Sequence, residues 1–151
     1  MTKYLSILLL VIFSVDSHAQ NSWKDLAVTE NTEVYIDTSS VISQNGFVYA
    51  RTKTIYTTND ARQAYIDKIK KVFKKNADKK ISKWQDFNYN LTYGIYDCTS
   101  KRFKILEVED YTSNHKTIIK TKTKEAKAKW LFVDTDTVGD YILFYICDKQ
   151  Y

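Results

Sequence analysis

The residues of this chain that could carry out chemistry are few and lie far apart in sequence. The chain has two histidines, and only His115 lies outside the N-terminal segment. No serine, histidine and carboxylate grouping indicates a nucleophilic triad, and the His and Cys residues are too few for a zinc site built from several of them. Glu107 and Glu109 are two apart on a predicted strand, so they point to one side instead of facing each other across a cleft. We therefore predict no catalytic residue and no cofactor.

An acidic stretch near the C-terminus resembles a calcium-binding loop only in part. Asp134, Asp136 and Asp140 supply carboxylates at close spacing. However, Val138 occupies the position of a further oxygen ligand, and Tyr145 that of the bidentate glutamate. We therefore predict no metal site and interpret the stretch as the start of a helix.

The two cysteines, Cys98 and Cys147, indicate a disulfide. In an oxidising compartment an even number of cysteines is typical of disulfide bonding, and two cysteines allow one intrachain pair. The bridge would close a loop of about 50 residues, worth roughly 4 kcal/mol in the chain-entropy account. Two buried free thiols are the alternative interpretation.

The N-terminal segment predicts export, and hence such a compartment. Lys3 gives a short basic start, residues 5–15 are apolar, and residues 17–19 form a small-x-small cleavage site. These are the three parts of a secretory signal peptide. The apolar run is shorter than the roughly 20 residues that span a bilayer, which argues against a membrane anchor. We expect residues 1–19 to be removed and the domain at 20–151 to be periplasmic, secreted or at the cell surface, with no transmembrane segment.

Lysines are the candidate partner-binding residues. The net charge of +5 favours acidic partners such as glycans, lipid phosphates or acidic protein patches, and an exported protein seldom meets nucleic acid. Residues 117–124 alternate, so that their lysines indicate either protection of a sheet edge or a ridge that docks an acidic partner. Residues 61–76 show helical spacing, typical of a surface helix or of one that binds a membrane surface or an anionic ligand. The candidate lysines are Lys70, Lys71, Lys74, Lys120, Lys122 and Lys124.

The rest of the chain is organised around a strand at residues 87–97. Apolar and aromatic residues alternate there with polar ones, which indicates a strand with one buried face. A polar turn that contains Cys98 follows, and residues 102–111 form the second strand of a hairpin. The positions on the apolar face are Phe87, Tyr89, Leu91, Tyr93 and Ile95.

Further elements are predicted on both sides of this hairpin. Residues 33–37 form a short strand, residues 38–40 turn the chain, and a turn of Asn-Gly type leads into a strand at 47–56. Residues 126–133 form the last strand. An aspartate or threonine then caps a short helix at 137–146.

One ordered set of positions runs through nearly the whole predicted domain. It consists of Trp23, residues 34–41, Gly46, residues 96–98, Arg102, Phe103, Tyr111, Trp130, Val133, Ile146 and Cys147. This order resembles the bacterial surface-adhesin protein E family. The resemblance implies an antiparallel sheet packed by a helix, a bridge between the two cysteines, and a surface-exposed or secreted protein that binds host matrix or plasma proteins. The chain departs from the family's pattern by its longer lysine-rich helix and by the lack of a lipid-attachment cysteine.

We therefore predict a single α+β domain at 20–151, similar to surface-adhesin protein E. It has an antiparallel sheet of about five or six strands, one long helix, a short C-terminal helix and the disulfide Cys98–Cys147. The functional hypothesis is an exported, non-catalytic binding module for a protein, an anionic glycan or another envelope ligand. The alternatives are a periplasmic accessory protein that binds an envelope component, and a hydrolase, which would need a clustered, buried polar site. Whether two copies pair as a homodimer is left open.

Overall fold

The fold is an antiparallel sheet with helices on one side. The computed structural model describes residues 22–73 and 76–148, so the predicted signal peptide lies outside the described residues. The strands are β1 (Trp23–Val28), β2 (Thr32–Gln44), β3 (Phe47–Tyr56), β4 (Phe87–Asp97), β5 (Arg102–Thr112), β6 (Thr117–Lys122) and β7 (Leu131–Phe132). The helices are α1 (Asn59–Val72), α2 (Ala77–Ile81) and α3 (Val138–Asp148).

The strands lie side by side in chain order, β1-β2-β3-β4-β5-β6, and the short β7 also pairs with β5. Each neighbouring pair is antiparallel. Short turns join β1 to β2, β2 to β3, β4 to β5 and β5 to β6, whereas the connection from β3 to β4 contains α1 and α2. The predicted α+β class, antiparallel sheet and C-terminal helix are confirmed. No helix in the described part of the chain is long and apolar enough to cross a membrane.

The predicted helix at 61–76 is wrong at its C-terminal end. Thr58 caps the start of α1 by accepting a hydrogen bond from the Ala61 N–H at 3.2 Å. The helix ends at Val72 because Phe73 leaves the helical conformation, with φ −84° and ψ 111°. The ring of Phe73 packs against Trp84, with 6.1 Å between centroids. Tertiary packing has therefore overridden helix propensity at this point.

The predicted turn at 38–40 is also wrong, because β2 runs through it with a bulge. The Ser40 hydroxyl donates to the Asp37 carbonyl at 2.6 Å and accepts from the Arg51 N–H at 2.8 Å. A side chain thus takes the place of a missing backbone partner and the strand continues. The predicted Asn-Gly turn is confirmed: Asn45 and Gly46 both have positive φ, 53° and 78°.

Two other strands are shorter than predicted. The strand expected at 126–133 is reduced to Leu131–Phe132, and a 3₁₀ turn occupies Glu125–Lys127. The strand expected at 117–124 ends at Lys122, so Lys124 lies beyond it.

The main core lies between α3 and the sheet. Leu143 and Ile146 of α3 are 4% and 2% exposed. The disulfide between Cys98 and Cys147, with 5.6 Å between the two Cα atoms, joins the turn after β4 to α3 and confirms the predicted pair. The helix is therefore held by both apolar contact and a covalent bond. The sheet residues of this core are Ile36, Val48, Ala50 and Tyr96.

The alternation in β4 correctly predicted a strand, but the expectation of one buried face was wrong. Residues on both faces are buried: Tyr96 is 6% exposed on the helix side, and Ile95 is 0% exposed on the other. A bulge between Phe87 and Tyr89 shifts the alternation, so Phe87 turns to the helix side and stacks on Tyr65 at 4.5 Å. Large side chains of the neighbouring strands shield the face that no helix covers.

Candidate functional site

The side of the sheet opposite to α1 and α3, which we call the open face, carries the candidate site. Directly paired residues of antiparallel strands point to the same side. One such row crosses the sheet from Lys53 of β3 through Leu91 and Glu109 to Lys120. It runs over four strands, so side chains from distant parts of the chain meet on one surface.

Three tyrosines and a lysine form the centre of this face. The rings of Tyr89 and Tyr111 lie 4.9 Å apart and are parallel to within 4°. The Lys53 ammonium lies over the Tyr89 ring, 4.8 Å from its centroid, and 5.9 Å from that of Tyr35. Cation–π attraction and ring stacking hold these groups in a fixed arrangement. We call Tyr35, Lys53, Tyr89 and Tyr111 the tyrosine platform.

Carboxylates hold the hydroxyl groups of the platform. The Tyr35 hydroxyl donates to Glu33 at 2.7 Å, and the Tyr111 hydroxyl donates to Glu109 at 2.7 Å. These hydrogen bonds raise the pKa of both tyrosines, because the acceptor is anionic. The platform therefore presents neutral rings whose polar ends are already engaged.

His115 touches the edge of the platform. Its Nδ1 atom lies 3.2 Å from the hydroxyl of Tyr89. It occupies an exposed turn with a positive φ of 59°. Its place beside Tyr89 is a positioning contact of the turn that joins β5 and β6.

The predicted lysine ridge forms a cross-strand network of ion pairs. The Lys120 ammonium bonds to Glu107 at 2.7 Å and also to Glu109, and Lys122 bonds to Glu107 at 2.7 Å. The two hydrogen bonds from Lys120 and Lys122 lower the pKa of Glu107 to about 2. The same contacts raise the pKa of Lys120. Two of the ridge's lysines are thus paired with carboxylates of the neighbouring strand.

The remaining candidate lysines do not join this network. Lys124 is exposed beyond the end of β6. Lys70 pairs with Asp78 at 2.6 Å, and Lys71 is exposed on α1, so both belong to the helix side of the molecule. Lys74 lies outside the described residues. The described candidate lysines of α1, Lys70 and Lys71, and those of β6, Lys120 and Lys122, therefore lie on opposite sides of the sheet.

Trp130 covers one end of the open face. Its ring centroid lies 5.7 Å from that of Phe47. The charged groups of Arg102 and Lys104 lie 4.5 Å and 4.4 Å from the Trp130 centroid. Arg102 is in turn held by Asp97 at 2.9 Å. The loop after β6 is fastened here by cation–π contacts, which a linear sequence does not reveal.

A buried polar cluster lies under α1, on the other side of the sheet. The Asp110 carboxylate is 1% exposed and accepts hydrogen bonds from the Tyr65 hydroxyl at 2.7 Å and the Trp84 indole N–H at 2.8 Å. Burial raises the pKa of Asp110. Sequence reasoning missed this cluster, although an acid that shares a strand face with the apolar Val108 was a signal.

Neither this cluster nor the acidic stretch before α3 forms a recognisable catalytic or metal centre. Asp110 is held by a tyrosine and a tryptophan, which are neutral donors, and no Ser, Cys or His of the described residues donates a hydrogen bond to it. Near α3, Asp140 accepts from the Asp136 N–H at 3.3 Å, and its own N–H donates to Thr137. Within residues 22–73 and 76–148, no three His, Cys, Asp or Glu side chains come close enough to hold a metal ion.

Known proteins resemble this chain both in sequence profile and in fold. The sequence profile of Surface-adhesin protein E matches residues 23–148. Among solved structures, a crystal form of Haemophilus influenzae protein E superposes with a TM-score of 0.51 at 14% identity, covering 85% of this chain and 89% of that one. A selenomethionine form of the same protein gives 0.50 at 13% identity, covering 86% and 88%. No curated protein sequence matches the chain.

Proposed function

Since the chain belongs to the surface-adhesin protein E family, we propose that it is an exported, non-catalytic binding module whose partner docks on the open face. The partner we infer is a protein of the host matrix or plasma, or an anionic glycan. The single observation that carries this proposal is the tyrosine platform on a sheet face that α1 and α3 leave uncovered.

The chemistry of the platform favours recognition over reaction. Tyrosine rings supply rigid contact area at low entropic cost and are enriched at protein interfaces. The Lys53 ammonium, set over two rings, adds a cation that a carboxylate or sulfate of a partner would meet. The surrounding Glu107 and Glu109 are already paired with lysines, so they present little net repulsion to an acidic partner.

The hydrogen bonds of the reactive side chains in the described part of the chain support a non-catalytic role. The buried cluster around Asp110 has its carboxylate oxygens bonded to Tyr65 and Trp84, and both cysteines form the disulfide. A hydrolase needs a base or nucleophile within reach of a substrate. Among the described residues of the open face, His115 is hydrogen-bonded to Tyr89 and not to a nucleophile.

Surface display is the part of the proposal that separates an adhesin from a periplasmic accessory protein. The predicted signal peptide and the disulfide both agree with an oxidising compartment outside the cytoplasm. Protease treatment of intact cells, followed by detection of the chain, measures its accessibility. Digestion supports display on the surface, whereas full protection contradicts the adhesin role and favours the accessory role.

The docking site is tested by the binding of the mature protein to a reconstituted basement-membrane matrix, measured by surface plasmon resonance. Lys53→Glu reverses the central charge of the platform, so we expect affinity to fall about tenfold. Lys68→Glu makes the same change in net charge on the exposed side of α1 and should leave the affinity unchanged. Equal losses in both variants would show a non-specific charge effect, and no binding by the wild type would contradict the proposal.

The lysine ridge has its own test. If it docks an acidic partner, replacing Lys120, Lys122 and Lys124 together with Gln lowers matrix affinity, and the wild-type affinity falls steeply with salt. Because Lys120 and Lys122 are engaged by Glu107, we expect the triple variant to lose less than Lys53→Glu. A loss larger than that of Lys53→Glu would move the docking site from the platform to the ridge.

A further inference from the structure

A recessed apolar crevice runs between α1 and the edge strand β6, on the side of the sheet opposite to the tyrosine platform. One part has a volume of 290 Å³ and is lined by Ile69, Phe73, Trp84 and Val108, among others. A second hollow of 230 Å³ shares Phe73 and Trp84 with it. The two hollows adjoin at Phe73, Trp84 and Ile119, which line both of them, and together they make up the crevice.

The walls of the crevice are apolar where it is deep. Trp84 is 2% exposed, so it forms the floor, whereas Val72 of α1 is 73% exposed at the rim. None of the residues of α1 is buried, which leaves this helix with an apolar stripe that the sheet covers only in part. An apolar recess with a few polar groups is the usual form of a small-molecule site.

The outer hollow has a cationic mouth. Lys80 and Lys83 line it, and the Lys80 ammonium lies 4.9 Å from the centroid of the Phe73 ring. The stem of such a lysine covers apolar surface while its charge stays in water at the entrance. Lys79 of α2 adds positive charge beside Lys80, whereas Lys70 of α1 is already paired with Asp78 at 2.6 Å. The inner end differs, because Asp110 there is already bonded to Tyr65 and Trp84.

We propose that this crevice binds a single-chain anionic amphiphile, a fatty acid. The acyl chain lies in the crevice against Trp84 and Phe73, and the carboxylate lies at the mouth between Lys80 and Lys83. Charge complementarity at one end and apolar surface along the remainder select an ion with a tail over either a neutral oil or a small anion. The recess favours one chain over a bilayer, since a bilayer surface would reach the exposed Val72 but not the floor at Trp84.

The test is calorimetric titration of the mature protein with octanoate, decanoate and dodecanoate, each below its micelle concentration. Each buried methylene contributes about 0.8 kcal/mol, or roughly a fourfold gain in affinity. We therefore expect affinity to rise steeply with the length of the acyl chain until the crevice is full. Dodecyltrimethylammonium and dodecyl maltoside have the same tail with a cationic or neutral head and should bind at least roughly tenfold more weakly than dodecanoate. An affinity that does not change with chain length, or equal affinities for the anionic, cationic and neutral dodecyl compounds, would overturn the proposal.

Two variants locate the ligand. Thr121→Phe places a ring in the crevice from an exposed position of β6 and should reduce dodecanoate affinity by roughly tenfold or more. Thr117→Phe is the matched control, because Thr117 is exposed on the same strand and pairs with Tyr111 of the open face. Near-ultraviolet circular dichroism checks that the Thr121→Phe protein is folded. If the folded variant binds dodecanoate with unchanged affinity, the acyl chain does not lie in the crevice.

A charge reversal at the mouth gives the independent result if Thr121→Phe fails to fold. Lys80→Glu with Lys83→Glu should weaken dodecanoate by about tenfold and narrow the preference over dodecyltrimethylammonium. Lys127→Glu with Lys129→Glu makes the same change in net charge on the exposed loop after β6 and should alter neither. Equal losses in both pairs, or binding by wild type only to vesicles of anionic phospholipid and not to monomeric dodecanoate, would contradict the assigned site.

Discussion

The two faces of the sheet stabilise their carboxylates in opposite ways: Glu107 on the open face is partly buried, and Asp110 on the covered face is fully buried. On the open face, Glu107 meets the ammonium groups of Lys120 and Lys122, and its pKa falls to about 2. On the covered face, Asp110 meets only neutral donors, Tyr65 and Trp84, among the described residues, and burial raises its pKa. A charge on the uncovered side is thus stabilised by a cation, whereas a charge beneath a helix is tolerated through hydrogen bonds.

On the covered face, α3 and α1 are fixed to the sheet by different kinds of contact. Leu143 and Ile146 fasten α3 into the core, and the disulfide ties it down. The contact of α1 relies on Tyr65, which reaches Asp110 and stacks on Phe87. We therefore expect changes under α3 to cost more stability than changes under α1, and changes on the open face to cost least.

The largest expected effect comes from the covalent tie. Replacing Cys98 and Cys147 together with Ser removes a bridge between residues 49 apart in sequence and should lower the free energy of unfolding by about 4 kcal/mol. Urea denaturation monitored by circular dichroism measures the loss. The wild type in excess reductant should lose the same amount, and an unchanged midpoint would show that apolar packing alone holds α3.

Truncation of the α3 core is the next largest effect. Ile146 is 2% exposed, so Ile146→Ala removes buried methyl groups and leaves a cavity, at a cost of about 3 kcal/mol. Ile42→Ala is the control, because Ile42 is 54% exposed at the end of β2 and should lose less than about 0.5 kcal/mol. Equal losses in the two variants would remove the distinction between the core and the edge of the sheet.

Removal of one donor beneath α1 should cost less. Tyr65→Phe deletes the hydroxyl that donates to Asp110 and leaves a buried carboxylate oxygen without that partner, at a cost of about 2 kcal/mol. Tyr141→Phe on α3 is the control, since Tyr141 is 67% exposed. The loss in Tyr65→Phe should shrink as pH falls and Asp110 takes up a proton. A loss that does not change with pH would mean that ring packing, not the hydrogen bond, is the cause.

The smallest effect, and the one with a definite pH sign, is on the open face. The pKa of Glu107 is lowered from 4.5 to about 2, so its ion pairs stabilise the fold above about pH 4.5 and this contribution is lost as pH falls towards 2. Glu107→Gln should lower the free energy of unfolding at neutral pH by less than about 1 kcal/mol and remove part of the acid sensitivity.

Asp110 is the counterpart in this measurement. Its raised pKa means that the folded state binds the proton more readily, so its effect on stability is most favourable below its usual value of 3.8 and declines as pH rises through the raised value. Asp110→Asn should therefore abolish the part of the free energy of unfolding that Asp110 adds as pH falls. If both variants shift the pH profile in the same direction, the contrast between the two faces is wrong.

Local rules and composition were sufficient for much of the fold. Thr58 and Thr137 could be recognised as helix caps, and Asn45 with Gly46 as a hairpin turn, because these depend on neighbours in sequence. The bridge between Cys98 and Cys147 followed from counting. The length of α1 and the continuity of β2 at Ser40 were missed, since both depend on partners from other strands and loops.

Of the candidate site, the sequence determined the alternation that sets Lys120 and Lys122 on one side of a strand. Only the tertiary structure decided that Glu107 would neutralise these lysines and that Lys53 would lie over Tyr89. It also decided which side of β4 a helix would cover, namely the side that carries Asn90 and not the side of the apolar residues. The physical reason is that alternation fixes which residues share a face, whereas the register between strands and the side on which a helix settles depend on bulges and on contacts between distant segments.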